Sequence, residues 1–366
     1  MSDLESLFLV VALLYLLECG TWIPRGGLAF VATLAGRARM ATPSGFLSLR
    51  GGGLVWSNPL SLPGRLFRCG EWPVSVTPGG IAAPGRFLGF EDLSSIEPDG
   101  RTVLANGEPL ATALSARHAA HLCERIRRLR AADPAARAAR IEAANREAFD
   151  ADAIAARLAD LRGRVRAVRG CGIALFLFFF ALAPAAAWRE GLVRAGLPLL
   201  GGLLALWSAT ALSFFRAHRG LFPEESGERR TQLFFLAAAP VGAIRAADAL
   251  SRDLLAEFHP VAVAGAVCAP SQHLELARHT FLALRYTPPP EGGDDAPRRA
   301  DAWSRAALLR SLEGHLRSRG IDPQAFLEPP RATDPASRSY CPRCRGEFVV
   351  AAGICADCSG VSLLPL

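Results

Sequence analysis

Four cysteines near the end of the chain form two pairs whose spacing suits metal chelation. Cys341 and Cys344 make one CxxC pair, Cys355 and Cys358 make the other, and ten residues separate the pairs. The CxxC spacing lets a tight turn bring both thiolates of a pair to one ion, and a glycine follows two positions after each pair. The intervening EFVVAAGI fits a short hairpin that would bring both turns around that ion. Four thiolates arranged as a tetrahedron make a closed, structural metal site.

This pattern, within residues 339–366, resembles a zinc ribbon. The resemblance implies a structural Zn²⁺ ion with Cys341, Cys344, Cys355 and Cys358 as its ligands. Spacing alone leaves two alternatives open, a pair of disulfides and an iron site of the rubredoxin kind. The remaining five cysteines are scattered singly and suggest neither a disulfide framework nor a nucleophile: Cys19, Cys69, Cys123, Cys171 and Cys268.

The cysteine pairs also predict a compartment. Thiolates persist in the reducing cytosol, whereas outside the cell such pairs tend to oxidise. We therefore expect a cytoplasmic C-terminus.

The composition excludes several kinds of chemistry. All 41 basic residues are arginine, so a phosphate-binding loop of the Walker type and Schiff-base catalysis both lack the lysine that they need. GxSxG, HExxH, GxGxxG and kinase signatures are also missing from the sequence. The sequence therefore favours a protein that is not an enzyme, without deciding the question.

Long apolar segments of the sequence would anchor the chain, and with it the metal site, at a membrane. Residues 171–188 and 195–215 carry no charge, and residues 4–23 form a weaker apolar stretch with Glu5 and Glu18 near its ends. About 20 apolar residues in a helix span a bilayer. We predict three transmembrane helices. Because acidic rather than basic residues begin the chain, the first is expected to be a retained span and not a cleaved signal peptide.

Arginine flanks predict the orientation. With three spans, most basic residues that flank the spans fall on the same side of the membrane. They include Arg37, Arg39, Arg164, Arg166 and Arg216. Basic flanks stay cytoplasmic. This predicts a bacterial cytoplasmic (inner) membrane protein with its N-terminus outside and its C-terminus inside.

Residues 42–131 predict a small antiparallel β domain closed by a helix. Short candidate strands alternate with turn signals such as Pro78-Gly79-Gly80, Asp99-Gly100 and Asn106-Gly107. A helix beginning after Ser115 would bury one apolar face, formed by Ala119, Leu122, Ile126 and Leu129. The fragments VSVTPGGI and FEDLSSIEPDGRTVLANGEPL resemble the central hairpins of a bacterial pleckstrin-homology-like (PH-like) domain. In some families such domains bind lipids or proteins.

Residues 134–169 form a basic helical segment rich in alanine and arginine, with a joint predicted near Asp150. Its apolar residues are spaced four, three, four and three apart: Ile154, Leu158, Leu161, Val165 and Val168. Such a seam could form a short coiled coil and make the protein a dimer, or it could pack within the chain.

The remaining segments are predicted to be mostly helical. Residues 233–285 form a membrane-proximal helical region, 286–299 a linker, 300–327 a helical segment beginning near Asp301, and 328–338 a second linker. The stretch 233–244 is too short to be a clear span. His259, Cys268, His273 and His279, and the pair His118 and His121, match no recognisable metal or catalytic spacing.

The fold class predicted is therefore a mixed membrane protein: three transmembrane helices, a PH-like β domain, a helical cytoplasmic region and a zinc ribbon. The favoured function is a membrane-anchored interaction protein whose ribbon docks a protein partner. One alternative is a membrane enzyme or assembly factor with a site in residues 233–285, using His259 or His273. The other is nucleic-acid binding through the ribbon, encouraged by four arginines but disfavoured because Tyr340 and Phe348 are the only aromatic residues near them that could stack on bases. The arginines are Arg331, Arg338, Arg343 and Arg345.

Overall fold

The computed structural model describes residues 75–83, 86–100, 102–112, 116–223, 258–267, 270–286, 295–358 and 360–366, with a few isolated positions before residue 70 and between 229 and 233. The chain divides into two compact units. We call residues 1–43, 58–62 and 155–255 the hairpin unit, and residues 44–57, 63–154 and 256–366 the mixed unit.

Two long helical segments dominate the described part of the hairpin unit. The first consists of α3 (Ala151–Leu177), which begins in the mixed unit, a π-helical turn (Phe178–Leu182) and α4 (Ala183–Glu190). The second is α5 (Leu192–Leu221). Gly191 joins them with φ of +76°, a backbone conformation that glycine adopts without steric penalty. The two uncharged runs at 171–188 and 195–215 therefore lie on consecutive helical segments.

The π-helical turn has a local cause. Pro184 lacks an N–H group, and in a regular α-helix its ring would clash with the carbonyl of residue 180. Here the Ala183 N–H bonds the Phe178 carbonyl, five residues back. Widening the turn by one residue keeps the helix running past the proline.

The apolar seam of α3 is occupied within the same chain. Leu161 and Val168 are buried in a cluster with Phe214, Ala217 and Phe222, which lie on α5 and at its end. The alternative that the seam packs inside the chain is therefore what the structure contains. For these positions a coiled-coil partner is not needed.

One helix in the described residues, α5, is long and apolar enough to cross a membrane, with a mean hydropathy of 1.6 over its most apolar stretch. Only 11% of that stretch is buried, whereas a core helix of a soluble protein would be mostly buried. The predicted span at 171–188 lies across α3, the π turn and α4 and stays a prediction. The predicted span at 4–23 and the segment 233–244 lie almost wholly outside the described residues.

Small antiparallel sheets form the first part of the mixed unit. A short pair, β1 (Leu54–Val55) and β2 (Arg68–Cys69), precedes two three-stranded meanders. The first contains β3 (Ser75–Val76), β4 (Gly80–Ala83) and β5 (Arg86–Gly89), and the second contains β6 (Ile96–Asp99), β7 (Thr102–Ala105) and β8 (Glu108–Thr112). Within each meander the strands pair in sequence order.

The predicted turn signals lie where these strands reverse. Asn106 and Gly107 join β7 to β8 with φ of 55° and 80°, the left-handed pair that favours an Asn-Gly hairpin. The Asn106 side chain also accepts hydrogen bonds from the Ser94 and Ser95 N–H groups, at 2.8 and 3.2 Å. The turn is thus tied to the loop before β6.

Helix α1 (Ala116–Arg130) closes this β domain as predicted. Ala119, Ile126 and Leu129 are buried in one core with residues of both meanders, such as Ile81 and Val103. Leu122 packs on the same core and is partly buried. The following helix, α2 (Pro134–Glu147), begins after Asp133, whose side chain accepts a hydrogen bond from the Ala135 N–H.

One arginine of the basic segment is a core residue. Arg137 on α2 is buried, and its guanidinium lies 4.6 Å from the centre of the Phe90 ring. It donates to the Leu129 carbonyl at 3.1 Å, which lies in the last turn of α1, and to the Pro78 carbonyl at 3.3 Å. This residue joins α2 to the end of α1 and to the turn before β4.

We expect Arg137→Leu to destabilise the β domain by about 2–3 kcal/mol, because it leaves buried carbonyl groups without their charged donor. Hydrogen–deuterium exchange of the amides in β3–β8 would measure the loss. Arg140→Leu removes an exposed arginine from the same helix, so it should change the exchange little. Equal effects of the two substitutions would contradict the structural role of Arg137.

Three helices and a 3₁₀ turn form the second part of the mixed unit: α6 (Pro260–Val267), α7 (Pro270–Tyr286), α8 (Asp295–Ser318) and the 3₁₀ turn (Pro323–Leu327). Helix α8 contacts α2, α7 and the first meander, and Trp303 packs against the β-domain core. Gly320 has φ of +73° just after α8, the left-handed conformation that commonly ends a helix.

The start of α8 differs from the sequence prediction. The helix begins at Asp295, inside the predicted linker 286–299, rather than near Asp301. Pro297 lies in the first turn, where backbone N–H groups have no partner within the helix, so a proline there does not prevent helix formation. The fold class is a mixture of helices and small antiparallel sheets.

Candidate metal centre

Three two-residue strands frame the cysteine pairs at the end of the mixed unit. They are β9 (Ser339–Tyr340), β10 (Glu347–Phe348) and β11 (Leu364–Pro365), and β9 lies in the centre of the sheet. Ile354 and Ser362 form a further antiparallel bridge around the second pair. Each cysteine pair therefore lies in a turn between short antiparallel segments.

The four thiols meet at one point. The sulfur atoms of Cys341, Cys344, Cys355 and Cys358 all lie within 4.8 Å of one another. The Sγ atoms of Cys344 and Cys355 are 3.7 Å apart, close to the edge of about 3.8 Å that a tetrahedron has when each metal–sulfur bond is about 2.3 Å. A disulfide would bring two sulfurs to about 2.05 Å, and all four cysteines are free. The cluster could hold a metal ion.

Backbone hydrogen bonds shape the first cysteine turn. The Arg345 N–H donates to the Cys341 carbonyl at 2.8 Å, and the Cys341 N–H donates to the Gly346 carbonyl at 2.9 Å. Arg345 itself takes the left-handed conformation, with φ of 63°, whereas in the second turn Gly360 does so with φ of 77°. A side chain at Gly346 would place its Cβ 3.4 Å from the Cys344 sulfur. A side chain at residue 346 would therefore be in van der Waals contact with that sulfur.

Two of the four thiols, those of Cys344 and Cys358, have raised pKa values. The pKa of Cys344 is raised, first by its hydrogen bond with Cys341 and then by burial. Burial, followed by the charge of Cys344, raises the pKa of Cys358 to about 12. A divalent cation would reverse this preference, because metal ligation requires the thiolate form and stabilises it.

The segment that carries the cysteines, residues 339–366, packs on the helical part of the mixed unit. Tyr286, at the end of α7, packs against the cluster formed by the cysteines, Val361 and Leu363. Arg345 donates to the carbonyls of Phe326 and Glu328 at 3.3 and 2.6 Å. The guanidinium of Arg345 is therefore engaged with the backbone next to the 3₁₀ turn.

A carboxylate fixes the segment that leads into the cysteine-bearing residues 339–366. Glu347 accepts hydrogen bonds from the Thr333 N–H and hydroxyl at 3.0 and 2.9 Å. These bonds lower the pKa of Glu347. Residues 328–338 contain neither a helix nor a strand, yet Glu347 holds their middle against β10.

The histidines singled out in the sequence form a second feature of the mixed unit. His259 lies just before α6, where its Nδ1 atom accepts a hydrogen bond from the Val261 N–H at 3.2 Å. Its ring stacks on Phe149 with 4.5 Å between ring centres. The pKa of His259 is lowered to about 3 by burial and then by His315. His259 therefore caps a helix as a neutral side chain.

Sequence reasoning missed His315, which joins this group. Its ring lies 5.3 Å from Phe149 and 6.3 Å from His273, between ring centres. Burial lowers the pKa of His315 and of His279 to about 4 and also lowers that of His273. Among the described residues, the Nε2 atoms of His273 and His315 are buried without a hydrogen-bond partner. His315 follows α8 periodicity as an ordinary helical residue, so no local signal could have identified it.

The other histidine pair lies on a single helix. His118 and His121 both lie on α1, and His121 is exposed. In the described part of the chain, the four cysteines are the sole group of three or more metal-ligating residues close enough to hold an ion. Cys268 lies outside the described residues.

Comparisons with known proteins give no relative: the chain matches no protein-family model, no curated protein and no solved structure.

Proposed function

We propose that this protein is a membrane-anchored interaction protein whose zinc ribbon docks a protein partner at the cytoplasmic face. The observation that carries the proposal is the exposed apolar rim of the ribbon. Val349 and Ile354 are 64% and 66% exposed, and Val350 is 51% exposed. They lie on the segment between the two cysteine turns, whose ends the metal ligands would fix.

The metal in this proposal is zinc. Four thiolate donors at tetrahedral spacing, three of them buried, suit a closed structural zinc site. The cysteines and Val361 make up most of the small buried core of the ribbon. Zinc would thus supply much of the free energy that folds these residues.

The membrane anchor in this proposal consists of the three predicted spans. The exposed apolar side chains of the hairpin unit support it, since a bilayer would cover them: Leu177, Leu182, Val193, Leu197, Leu200, Leu204 and Leu212. Arg216 and Arg219 at the end of α5 favour the cytoplasmic side for the residues after that helix. We assign the protein to a bacterial inner membrane with the N-terminus outside.

The β domain in this proposal is PH-like. Two three-stranded meanders closed by the amphipathic helix α1 support that assignment. The domain shares the mixed unit with the ribbon, and both belong to the cytoplasmic part of the protein. A fold of this kind does not by itself define a ligand.

The rim has the composition of a protein-docking surface. Val349, Val350, Ala351 and Ala352 are consecutive exposed residues, and β10 beside them is an edge strand of its sheet. An apolar patch next to an edge strand suits a partner that presents an apolar, extended segment. The cysteine turns would hold the rim in shape before binding, which lowers the entropic cost of association.

A crosslinking experiment in native membranes tests this function. A photoreactive residue placed at Ala352 in the full-length chain should crosslink one protein species. Val349→Ser with Ile354→Ser should reduce that product at least about tenfold, because the buried apolar contact is lost. Leu274→Ser removes a leucine on α7 that is 45% exposed, and should leave the product unchanged.

The zinc content shows whether the double serine variant has lost only the apolar surface of the rim or also the fold of the metal site. The double serine variant should retain one zinc ion per chain, measured by mass spectrometry of the metal. An unchanged crosslink in this zinc-loaded variant would contradict docking through the rim.

A further inference from the structure

A cleft in the mixed unit lies apart from the cysteine cluster and has a volume of about 380 Å³. Its walls come from α2 and α8, and its lining includes Phe149, just after α2, and His315, on α8. Volumes of this size are at the lower end of those that hold small ligands. The cleft is a candidate binding site that the docking function does not use.

The charges of the cleft favour one negative charge in a ligand. Arg146 and Glu142 lie on the α2 side, and Arg310 lies on the α8 side. The Glu142 carboxylate pairs with the Arg310 guanidinium at 2.7 Å, so these two charges offset each other. Among the described residues Arg146 has no acidic partner. The three side chains therefore leave a net charge of +1.

Two residues of the cleft are unfavourable for folding on general grounds. Gly314 lies inside α8, where glycine is less favourable than alanine, and a Cβ added there would meet nothing within 4 Å. Close packing therefore does not explain this glycine. His315 next to it is 7% exposed and has an unpartnered Nε2 atom among the described residues. Residues that are unfavourable for the local structure, and that packing does not explain, are typical of functional sites.

We propose that this cleft binds a small aromatic carboxylate. The carboxylate pairs with the planar guanidinium of Arg146, whose two parallel N–H groups match its two oxygens. The second guanidinium, Arg310, is held by Glu142 at the same opening. The aromatic ring of the ligand lies over Gly314 and against the edges of Phe149 and His315, because the missing side chain at residue 314 leaves that space open.

Calorimetric titration of the full-length protein with benzoate tests the proposal. Benzoate should bind saturably at millimolar concentration. Benzamide, which has the same shape without the charge, should bind at least about tenfold more weakly, as should benzoate to Arg146→Ala, because each change removes a charge-assisted hydrogen bond. Arg140→Ala removes a charge from the same helix outside the cleft and should bind benzoate normally.

A substitution that fills the cleft provides a second test of the proposal. Gly314→Leu should abolish benzoate binding while the melting temperature stays the same or rises, since the added side chain enters open space and favours the helix. Gly314→Ala should raise the melting temperature and weaken binding. These variants separate loss of the cleft from loss of the fold.

Three results would overturn the proposal. The first is an absence of saturable benzoate binding to the wild-type protein. The second is an equal loss of binding in Arg146→Ala and Arg140→Ala. The third is tighter binding of phenyl phosphate than of benzoate, because a dianion would then be the preferred ligand.

Discussion

Replacing Cys341 and Cys344 together by serine should unfold residues 339–366 while leaving the β domain intact. Three of the four cysteines are among the five buried core residues of this segment, and a structural zinc ion contributes on the order of 10 kcal/mol to the folding of such a segment. With two of four ligands removed, the ion is no longer held by a closed site. We expect amide exchange in 339–366 to become at least about a hundredfold faster, which corresponds to about 2.7 kcal/mol or more.

Metal analysis and hydrogen–deuterium exchange of the full-length protein measure this effect. The wild-type chain should contain one zinc ion and lose protection in 339–366 when a chelator removes it. Cys123→Ala is the matched control, because Cys123 is buried in the β-domain core, away from the cluster. A wild-type chain that carries iron would correct the identity of the metal. Unchanged exchange in the double serine variant would contradict a metal-dependent ribbon.

Lowering the pH from 6.5 to 4.5 should destabilise the helices α6–α8. The pKa of His259 is about 3 and those of His279 and His315 are about 4 in the folded chain, below the value near 6.5 of an exposed histidine. The unfolded chain therefore binds more protons than the folded chain in this window. Stability is fully present above pH 6.5 and falls as the pH decreases toward the folded pKa values.

The size of the effect follows from the number of buried imidazoles. Each proton bound only by the unfolded chain lowers stability by about 1.4 kcal/mol per pH unit. With allowance for solvent screening, we expect a total loss of about 3–6 kcal/mol by pH 4.5. Exchange rates of amides in α6–α8 at several pH values, corrected for intrinsic rates, would report it.

Two variants test whether the buried histidines cause the pH dependence of stability. His315→Gln removes one titrating side chain and should make the decrease in stability less steep. His121→Gln removes an exposed histidine and should leave the slope unchanged. Zinc release must be followed in parallel, since acid also protonates the cysteines. A slope that is the same in His315→Gln and wild type at constant zinc content would contradict the assignment.

Several parts of the fold could be predicted because their signals are local. Asn106-Gly107 and Asp99-Gly100 lie at the turns where the strands reverse. The apolar period of α1 identified Ala119, Ile126 and Leu129 as core residues. In these cases a few neighbouring residues determine the backbone conformation, so the sequence is sufficient.

Other features could not be predicted because they depend on contacts between distant segments. Arg137 belongs to a basic segment that is typical of a solvated surface, yet the end of α1 and the turn after β3 supply the carbonyls that bind it in the interior. The group of His259, His273 and His315 forms only when α6, α7 and α8 pack together. The same holds for the cleft between α2 and α8.

The cysteine cluster combines both kinds of information. The sequence alone determined the four thiols and their two turns, because each CxxC pair is a local structure of a few residues. Only the tertiary structure decided that residues 339–366 pack on Tyr286 and bond the Phe326 carbonyl, which leaves Val349 and Ile354 exposed. Which apolar side chains remain available to a partner depends on what the rest of the chain has already covered, and a local pattern contains no information about that.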